Sequence, residues 1–540
     1  MSRQTTARAV IVLVALAAHG LIVINNGILF DDWALYLHIA RGDWAAMAAW
    51  VPQIGGIPTY LYVWIAGASI PPPLVGFRVA ALLLIVGAAL VTYEIAMLTG
   101  LVSRIEAVVI ACLAVAYPGD HTHILLITLN YLVYYLLFLV AVWVLLRAET
   151  AAGWRRRLLQ AIAVVLLFVS FGLNSLLVFF AGALLLGAIY LRTKGRLATR
   201  EDAIREGLKH AYLLVVPVVF WAVYRVFFPP HGVYSGYHQF EWSLGSLLHS
   251  AEAFLVSGIA AQFRNSIAML GVLAPLWLLV LFAVHRVWLR REHVAEALPG
   301  REVMLGFGAA LAALAVFPYM AVGLDPSEHG WNSRHTLLLG LPVAIVLVAG
   351  AQVLFRTRGR LVGVLAGAVL ASLLLGFILA SAATYIGWEA RWIKDSSVMA
   401  KLARTPGADR YFVYWIDDGY QVGGEPTYRY YEWAGMLRTV FGGESRIGLD
   451  RRATPANFLT AYEPYFTDIY NLGAFDPRGC EAVLTISRGP ERHSDLGLVA
   501  RYLFYSAIDQ AQRDRMLREV TSVKVEPYPS AFATDCAVTP

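Results

Sequence analysis

The chain has 540 residues, of which 59% are apolar and 15% are charged, and its formal net charge at pH 7 is +6. Apolar stretches long enough to cross a hydrocarbon core of about 30 Å recur from residue 9 to about residue 386, which excludes a soluble globular protein over most of the length. The basic residues lie between these stretches, so they indicate membrane topology and not nucleic-acid binding.

The apolar stretches predict an all-α polytopic membrane domain with eleven transmembrane helices, the first of them uncleaved. The stretch 157–192 is too long for one span, and "FGLNS" (171–175) divides it because Gly172 and Asn174 favour a turn. The predicted helices lie near residues 8–24, 74–98, 104–118, 124–147, 157–171, 174–192, 208–228, 262–288, 303–323, 336–355 and 360–386.

Arginine and lysine residues gather in every second loop of this eleven-helix arrangement. The positive-inside rule therefore predicts a multi-pass protein of the cell or inner membrane, with a cytoplasmic N-terminus and an extracytoplasmic C-terminus. The opposite loops carry acidic residues and histidines, and we expect them to face outward. They comprise residues 25–73, 119–123, 172–173, 229–261, 324–335 and everything after about 387.

Beyond residue 387 the composition becomes that of a soluble domain, so we expect a membrane domain over 1–387 and a small extracytoplasmic α/β domain over 388–540. Residues 410–418, 481–487 and 522–528 are rich in β-branched and aromatic residues and predict strands, whereas 431–441 and 496–520 predict helices. Cys480 and Cys536 both lie here. In an oxidising compartment they would form a disulfide, and the alternative is two separate buried thiols.

The first outer loop, 25–73, begins with two adjacent acids, Asp31 and Asp32. Trp33, Tyr36, Leu37, Ala40, Trp44 and Met47 then recur at helical spacing. This pattern predicts an amphipathic helix that lies in the membrane interface. Asp31 stands at the N-cap position of this helix, so capping is one interpretation of its carboxylate, and a share in a site is the other.

Several stretches resemble the GT-C superfamily of integral membrane glycosyltransferases. The paired acids before an interfacial helix, "FRVAALLLIVGAALVTYEIAMLTG" (77–100), "YPGD" (117–120), "FGLNSLLVFFAGALLLGAIY" (171–190) and "WNSRHTLLLGLPVAIVLV" (331–348) are similar to the branch that uses dolichyl- or polyprenyl-phosphate sugars. This branch includes the protein O-mannosyltransferase and aminoarabinose transferase families, and His335 replaces its usual tyrosine. The resemblance covers roughly residues 8–386.

The resemblance implies a transferase that moves a sugar from a polyprenyl-phosphate donor to an extracytoplasmic glycan, lipid or protein acceptor. A general base must accept the proton of the acceptor hydroxyl, and Asp31 or Asp32 is the candidate, with Asp120 as a further acid. The leaving phosphate needs charge stabilisation, which arginine supplies. Four arginines are predicted at outer helix ends, where basic residues are rare, and snorkelling to headgroups is the alternative role for them. They are Arg78, Arg225, Arg264 and Arg334.

The outer loops also carry histidines and acids that are candidates for substrate contact: His121, His123, His335 and Glu328. Asp120, His121 and His123 would bind a divalent metal only if their loop is extended, since alternate residues on a helix do not share a face. The sequence does not require such a metal.

Other classes of protein fit parts of the same pattern. A transporter or polymerase of lipid-linked glycans, or an acyltransferase, would share the membrane architecture, although transporters usually place ionisable residues at mid-membrane. A membrane-anchored glycan-binding protein would use the aromatic residues of the outer domain for sugar stacking, whereas a hydrophobic core explains them equally well. These residues are Tyr428, Tyr430, Tyr431 and Trp433.

Overall fold

The structure is a computed structural model that describes residues 3–42, 45, 73–229, 240, 243–281 without 273, 276 and 280, 300–355, 359–423, 428–442, 446–452, 480–490 and 493–528. Within these residues, eight helices are long and apolar enough to cross a membrane. They are Arg3–Ile24, Leu74–Thr99, Leu129–Ala148, Ser175–Thr193, Arg200–Phe227, Leu244–Val272, Arg301–Met320 and Val364–Leu402. A helical multi-pass membrane protein is thus confirmed.

Fourteen helices precede the sheet in the described part of the chain. They are α1 (Arg3–His19), α2 (Asp32–Arg41), α3 (Pro73–Thr99), α4 (Arg104–Ala116), α5 (Leu129–Ala148), α6 (Gly153–Ser170), α7 (Ser175–Thr193), α8 (Arg200–His210), α9 (Tyr212–Phe227), α10 (Leu244–Ala253), α11 (Ala261–Val272), α12 (Arg301–Met320), α13 (Gly340–Phe355) and α14 (Gly359–Leu402). A 3-10 turn over Gly20–Ile24 extends α1, another over Trp331–Thr336 precedes α13, and a π-helical segment over Phe254–Ala260 joins α10 to α11.

One predicted boundary is wrong by a wide margin. The span expected at 262–288 begins at Leu244, inside the predicted outer loop 229–261. Ser243 starts the helix, because its side chain accepts a hydrogen bond from the Ser246 amide at 3.0 Å. Serine, histidine and glutamate residues lower the hydropathy of the first three turns and hide the helix from a hydropathy reading.

Helix α4 lies in the middle of the membrane part. It has only 13 residues, or about 20 Å, and a capping box between Ser103 and Glu106 starts it. Alanines on its surface, among them Ala107, Ala111 and Ala116, are fully buried and let α1, α3 and α13 approach closely. The chain that leaves α4 at Tyr117 enters the loop that carries Asp120, His121 and His123.

Helix α14 continues far beyond the predicted end of its span at residue 386. Its 44 residues extend about 66 Å, whereas a hydrocarbon core is about 30 Å thick. The segment from Trp388 to Leu402 carries buried charged residues and packs against the α/β domain. The predicted domain boundary at 387/388 therefore falls inside one continuous helix.

The outer domain contains a four-stranded sheet in the order β2-β1-β3-β4. Its strands are β1 (Val413–Asp418), β2 (Ile447–Asp450), β3 (Glu481–Arg488) and β4 (Thr521–Pro527), and its helices are α15 (Tyr430–Phe441), α16 (Asp495–Ile508) and α17 (Gln510–Val520). Strand β1 pairs in parallel with β2 and β3, and β4 pairs antiparallel with β3.

The strands predicted near 410–418, 481–487 and 522–528 are confirmed, while the four-residue β2 escaped prediction. The single helix predicted over 496–520 is two helices, because Asp509 leaves the helical conformation and caps the second through the Gln512 amide.

Helix α2 connects the membrane part with the outer domain. Ala34 and Leu35 pack in one apolar cluster with Phe77 of α3, while Trp33 packs with Trp433 and Met436 of the outer domain. Gly435 of α15 makes the closest approach, since a Cβ placed there would lie 2.5 Å from the Trp33 ring. The apolar face of this predicted interfacial helix thus packs against protein, and Trp44 and Met47 lie outside the described residues.

Cys480 is disulfide-bonded, and Cys112 is a free, buried thiol. The predicted partner of Cys480, Cys536, lies outside the described residues.

Candidate functional site

The start of α2 has an unusual backbone. Phe30 has a φ of 49°, and it is the one non-glycine residue in the left-handed region among those described. Such a conformation costs of order 1–3 kcal/mol and persists where the surroundings impose it. Here the Phe30 ring contacts the rings of Trp331 and Trp388, with centroids 5.7 and 5.6 Å away, and its amide donates to Glu432 Oε2 at 2.9 Å. This backbone conformation fixes the direction in which the side chain of the next residue, Asp31, projects.

Asp32 is fully buried, and the protein occupies both of its oxygens. The Leu126 amide donates to Oδ2 at 2.9 Å and the Ile127 amide donates to Oδ1 at 3.0 Å. Burial raises its pKa to about 7, although the Arg78 guanidinium and the two amide bonds oppose the shift. Asp32 therefore joins α2 to the loop 117–128, and its oxygens are already used for that purpose.

Asp31 has a different environment. Its Oδ1 is buried and has no hydrogen-bond partner among the described residues. Burial raises the pKa of the carboxyl, while a hydrogen bond with Tyr431 and the positive charges of Arg334 and Arg429 oppose the increase. A carboxylate with a free buried oxygen and a raised pKa is suited to accept a proton.

Arg334, in the membrane part, acts electrostatically on Asp31. It lies in the 3-10 turn before α13, is 8% exposed, and stacks over the Trp331 ring with its Cζ 4.2 Å from the ring centroid. Its Nη1 donates to the Trp331 carbonyl at 2.7 Å and to Asn332 Oδ1 at 3.3 Å. These bonds hold the guanidinium in one plane, and its positive charge is within range to lower the pKa of the Asp31 carboxyl.

The other three arginines predicted to bind phosphate have partners inside the protein. Arg78 is 1% exposed, donates to the Gly27 carbonyl at 2.7 Å and balances the charge of Asp32. Arg264 forms an ion pair with Glu328 at 2.8 Å. Arg225 is exposed and stacks on Trp221 at 5.7 Å. The structure therefore does not bring the four arginines into one site, and Arg334 is the member of this set that is among the main influences on the pKa of Asp31.

Asp120 and its two histidines form a compact loop. Asp120 Oδ1 accepts hydrogen bonds from the amide and the hydroxyl of Thr122, at 2.8 and 2.7 Å, and its Oδ2 lies 3.5 Å from His123 Nε2. His121 Nε2 donates to the Pro118 carbonyl at 3.0 Å. Burial and the nearby His329 lower the pKa of His121 to about 4, so its ring stays neutral.

The remaining candidates on the outer loops have structural partners. His335 Nδ1 bonds the Asp325 carbonyl at 3.1 Å. Glu328 accepts hydrogen bonds from Asn265 at 2.9 Å and from Arg264. Burial acts to raise the pKa of Glu328, but these hydrogen bonds outweigh burial, so its pKa is lowered overall. In the described part of the chain, no group of three or more His, Cys, Asp or Glu residues is arranged to hold a metal.

The site also contains residues whose role there the sequence did not indicate. Tyr431 of α15 shares a hydrogen bond with Asp31, the charge of Arg429 acts on the same carboxyl, and Glu432 binds the Phe30 amide. The neighbouring aromatic residues proposed for sugar stacking are mostly core residues: Tyr428 and Trp433 are 8% and 1% exposed. Tyr431 is also buried, at 9%, but its hydroxyl reaches the site.

The fold and the site together define a multi-pass helical membrane protein with an acid–arginine site between its membrane part and its outer domain. No protein-family model matches the chain, and the comparisons with curated proteins and with solved structures give no match either.

Proposed function

We propose that this protein is a membrane glycosyltransferase of the GT-C type, which moves a sugar from a polyprenyl-phosphate donor to an extracytoplasmic glycan, lipid or protein acceptor. The observation that carries the proposal is that Asp31, whose buried Oδ1 is unpartnered in the described structure, lies within electrostatic range of the Arg334 guanidinium. A base and a phosphate-binding cation that act in one site are the two groups that this reaction needs.

In the proposed reaction, the acceptor hydroxyl attacks the anomeric carbon of the donor sugar and gives its proton to Asp31. The new carbon–oxygen bond forms as the bond between that carbon and the lipid phosphate breaks, and the phosphate leaves with the bonding electrons. Arg334 stabilises the charge on the departing polyprenyl phosphate. The raised pKa of Asp31 suits a group that must hold a proton after the transfer.

The proposal includes the orientation, with eleven spans, the N-terminus in the cytoplasm and the Asp31 site outside. Helix α5 has 20 residues, about 30 Å, so Glu149 lies at the other end of the membrane part from the Asp120 loop. Basic residues gather at that end, where Glu149 is bonded by Arg196 at 2.5 Å and by Arg156 at 3.3 Å. A basic cluster is typical of the cytoplasmic side.

The test uses purified full-length protein with a panel of labelled undecaprenyl-phosphate sugars and an envelope extract as the acceptor. We expect sugar transfer with release of undecaprenyl phosphate. We also expect Asp31→Asn to lower kcat at least 100-fold, because a general base typically contributes 10²–10⁴-fold. Asp417→Asn is the matched control, since Asp417 forms an exposed ion pair with Arg452 in the outer domain.

Arg334→Gln should raise the KM for the donor and lower kcat, while Arg452→Gln leaves both unchanged. A folded Asp31→Asn protein with full activity would refute the assignment of the base. A transporter or a glycan-binding protein, the alternative classes, would bind or move these lipids without releasing undecaprenyl phosphate.

A further inference from the structure

Two consecutive residues of the outer domain reach the start of α2. Tyr431 shares a hydrogen bond with the Asp31 carboxylate, and Glu432 accepts one from the Phe30 amide at 2.9 Å. Both lie in the first turn of α15, which is packed against α2 through the contact between Gly435 and the Trp33 ring. The outer domain therefore contacts both the backbone of Phe30 and the side chain of the next residue, Asp31.

Glu432 is held in place by a buried ion pair. Arg391 of α14 and Glu432 both have fully buried side chains, and Arg391 Nη2 donates to Glu432 Oε2 at 2.5 Å. The Arg391 guanidinium lies over the Phe30 ring at 4.9 Å and over the Tyr428 ring at 4.1 Å. Glu432 Oε1 also accepts a hydrogen bond from the Arg429 amide at 2.9 Å.

The cost of burying two charges is large, so a buried ion pair by itself argues weakly for stability. This pair has a definite structural role. The Glu432 Oε2 atom that accepts a hydrogen bond from Arg391 also accepts one from the amide of Phe30, the residue with the left-handed backbone. The ion pair thus fixes a strained conformation directly before Asp31.

We propose that the outer domain is part of the Asp31 site. Tyr431 is a positioning residue that donates a hydrogen bond to the Asp31 carboxylate, and the Glu432–Arg391 pair holds the Phe30 backbone directly before Asp31. This inference rests on the proposed function for the role of Asp31 as a base. The contacts between the residues are independent of that role.

The first experiment does not use activity. Melting temperatures in detergent at pH 8 are compared for the wild type, Tyr431→Phe, Asp31→Ala and the double variant. We expect the double variant to melt no lower than Asp31→Ala alone, because removal of the carboxylate already removes the stabilisation that the Tyr431 hydroxyl provides through Asp31. Tyr430→Phe, on the same helical turn, is the control and should lower the melting temperature equally in both backgrounds. Additive losses for Tyr431 and Asp31 would overturn the inference.

The second experiment measures the acid limb of kcat/KM against pH. The charged and titratable groups that act on Asp31 are Tyr431, Arg334, Glu432, Arg429 and Asp32. Loss of a hydrogen bond to the ionised form raises the pKa of a carboxyl. We therefore expect Tyr431→Phe to move the acid limb about one to two pH units upward, the size of one hydrogen bond to a charged group.

An unchanged acid limb in a folded Tyr431→Phe protein would overturn the tuning role of Tyr431. If the melting experiment shows coupling but the wild type transfers no sugar from any donor, the proposed function fails and the contact stands.

Glu432 offers a graded test of the same inference. Glu432→Gln keeps an oxygen acceptor for the Phe30 amide, whereas Glu432→Ala removes it. We expect kcat to fall further in Glu432→Ala than in Glu432→Gln, by at least tenfold, with the donor KM little changed. Equal kcat values in the two variants would overturn the role of Glu432 in positioning Phe30.

Discussion

The two adjacent aspartates should differ in their effect on stability, because Asp32 accepts two buried backbone hydrogen bonds from a distant loop, whereas Asp31 Oδ1 has no partner in the described structure. Asp32→Ala leaves the buried amides of Leu126 and Ile127 without their acceptors. Each unsatisfied buried donor costs about 1–3 kcal/mol, so the substitution should lower the free energy of unfolding by about 2–6 kcal/mol. Asp31→Asn, in contrast, should change that free energy by less than about 1 kcal/mol, since Asp31 Oδ1 lacks a partner in the described structure and an amide oxygen can still accept the hydrogen bond from Tyr431.

The assay is unfolding of the purified protein in detergent, followed by tryptophan fluorescence at pH 8. The wild type and the variants Asp32→Ala, Asp32→Asn and Asp31→Asn are compared side by side. Asp32→Asn keeps one oxygen acceptor but turns an NH₂ group towards the second amide, so its loss should fall between those of the other two variants. If Asp32→Ala is as stable as the wild type, the assignment of Asp32 to the fold is wrong.

The pH dependence of the same measurement gives an independent check. Burial raises the pKa of Asp32 from its ordinary value of 3.8 to about 7. Between these two values the folded state keeps a proton that the unfolded state has released, so this group makes stability fall as pH rises from about 4 to 7. Asp32→Asn should remove that part of the slope. An unchanged slope would mean that Asp32 is ionised in the folded protein throughout this range.

Two further perturbations test the surroundings of the site. Burial and the nearby His329 lower the pKa of His121 from 6.5 to about 4, so its contribution to stability is lost as pH falls from 6.5 towards 4. His121→Gln should therefore flatten a plot of melting temperature against pH in that window. A plot with the wild-type slope would contradict this. Gly435→Ala places a Cβ 2.5 Å from the Trp33 ring and should lower the free energy of unfolding by about 1–3 kcal/mol. In the control Gly245→Ala, the new Cβ meets nothing within 4 Å, so no measurable loss is expected. Equal melting temperatures for these two variants would refute the close packing of α2 on α15.

Hydropathy and periodicity predicted the elements that depend on local pattern. The helices of the membrane part and three of the four strands follow from runs of apolar or β-branched residues, which a sequence displays directly. The start of the helix at Leu244 was missed, because serine and histidine side chains make its first turns look like a loop. Strand β2 was missed because four residues carry too little pattern to recognise.

The composition of the site depended on contacts that no local pattern reveals. The sequence indicated Asp31 and Asp32 together but could not rank them, since the amides that bind Asp32 lie 94 and 95 positions later in the chain. Arg78 and Arg334 looked alike as outer arginines, and only packing separates the buried partner of Asp32 from the neighbour of Asp31. Glu432, 402 positions after Phe30, gave no sign of its role.

The uninterrupted course of α14 has a practical consequence for anyone who divides this protein into fragments. A cut at the compositional boundary near residue 387 would sever the helix one turn before Arg391 and separate Phe30 from the Arg391–Glu432 ion pair, so the released outer piece would present that ion pair and an apolar seam to water. Such a piece is expected to precipitate. Biochemistry on this molecule is better planned with the whole polypeptide in a lipid nanodisc, and antibodies raised for imaging should be selected against that form.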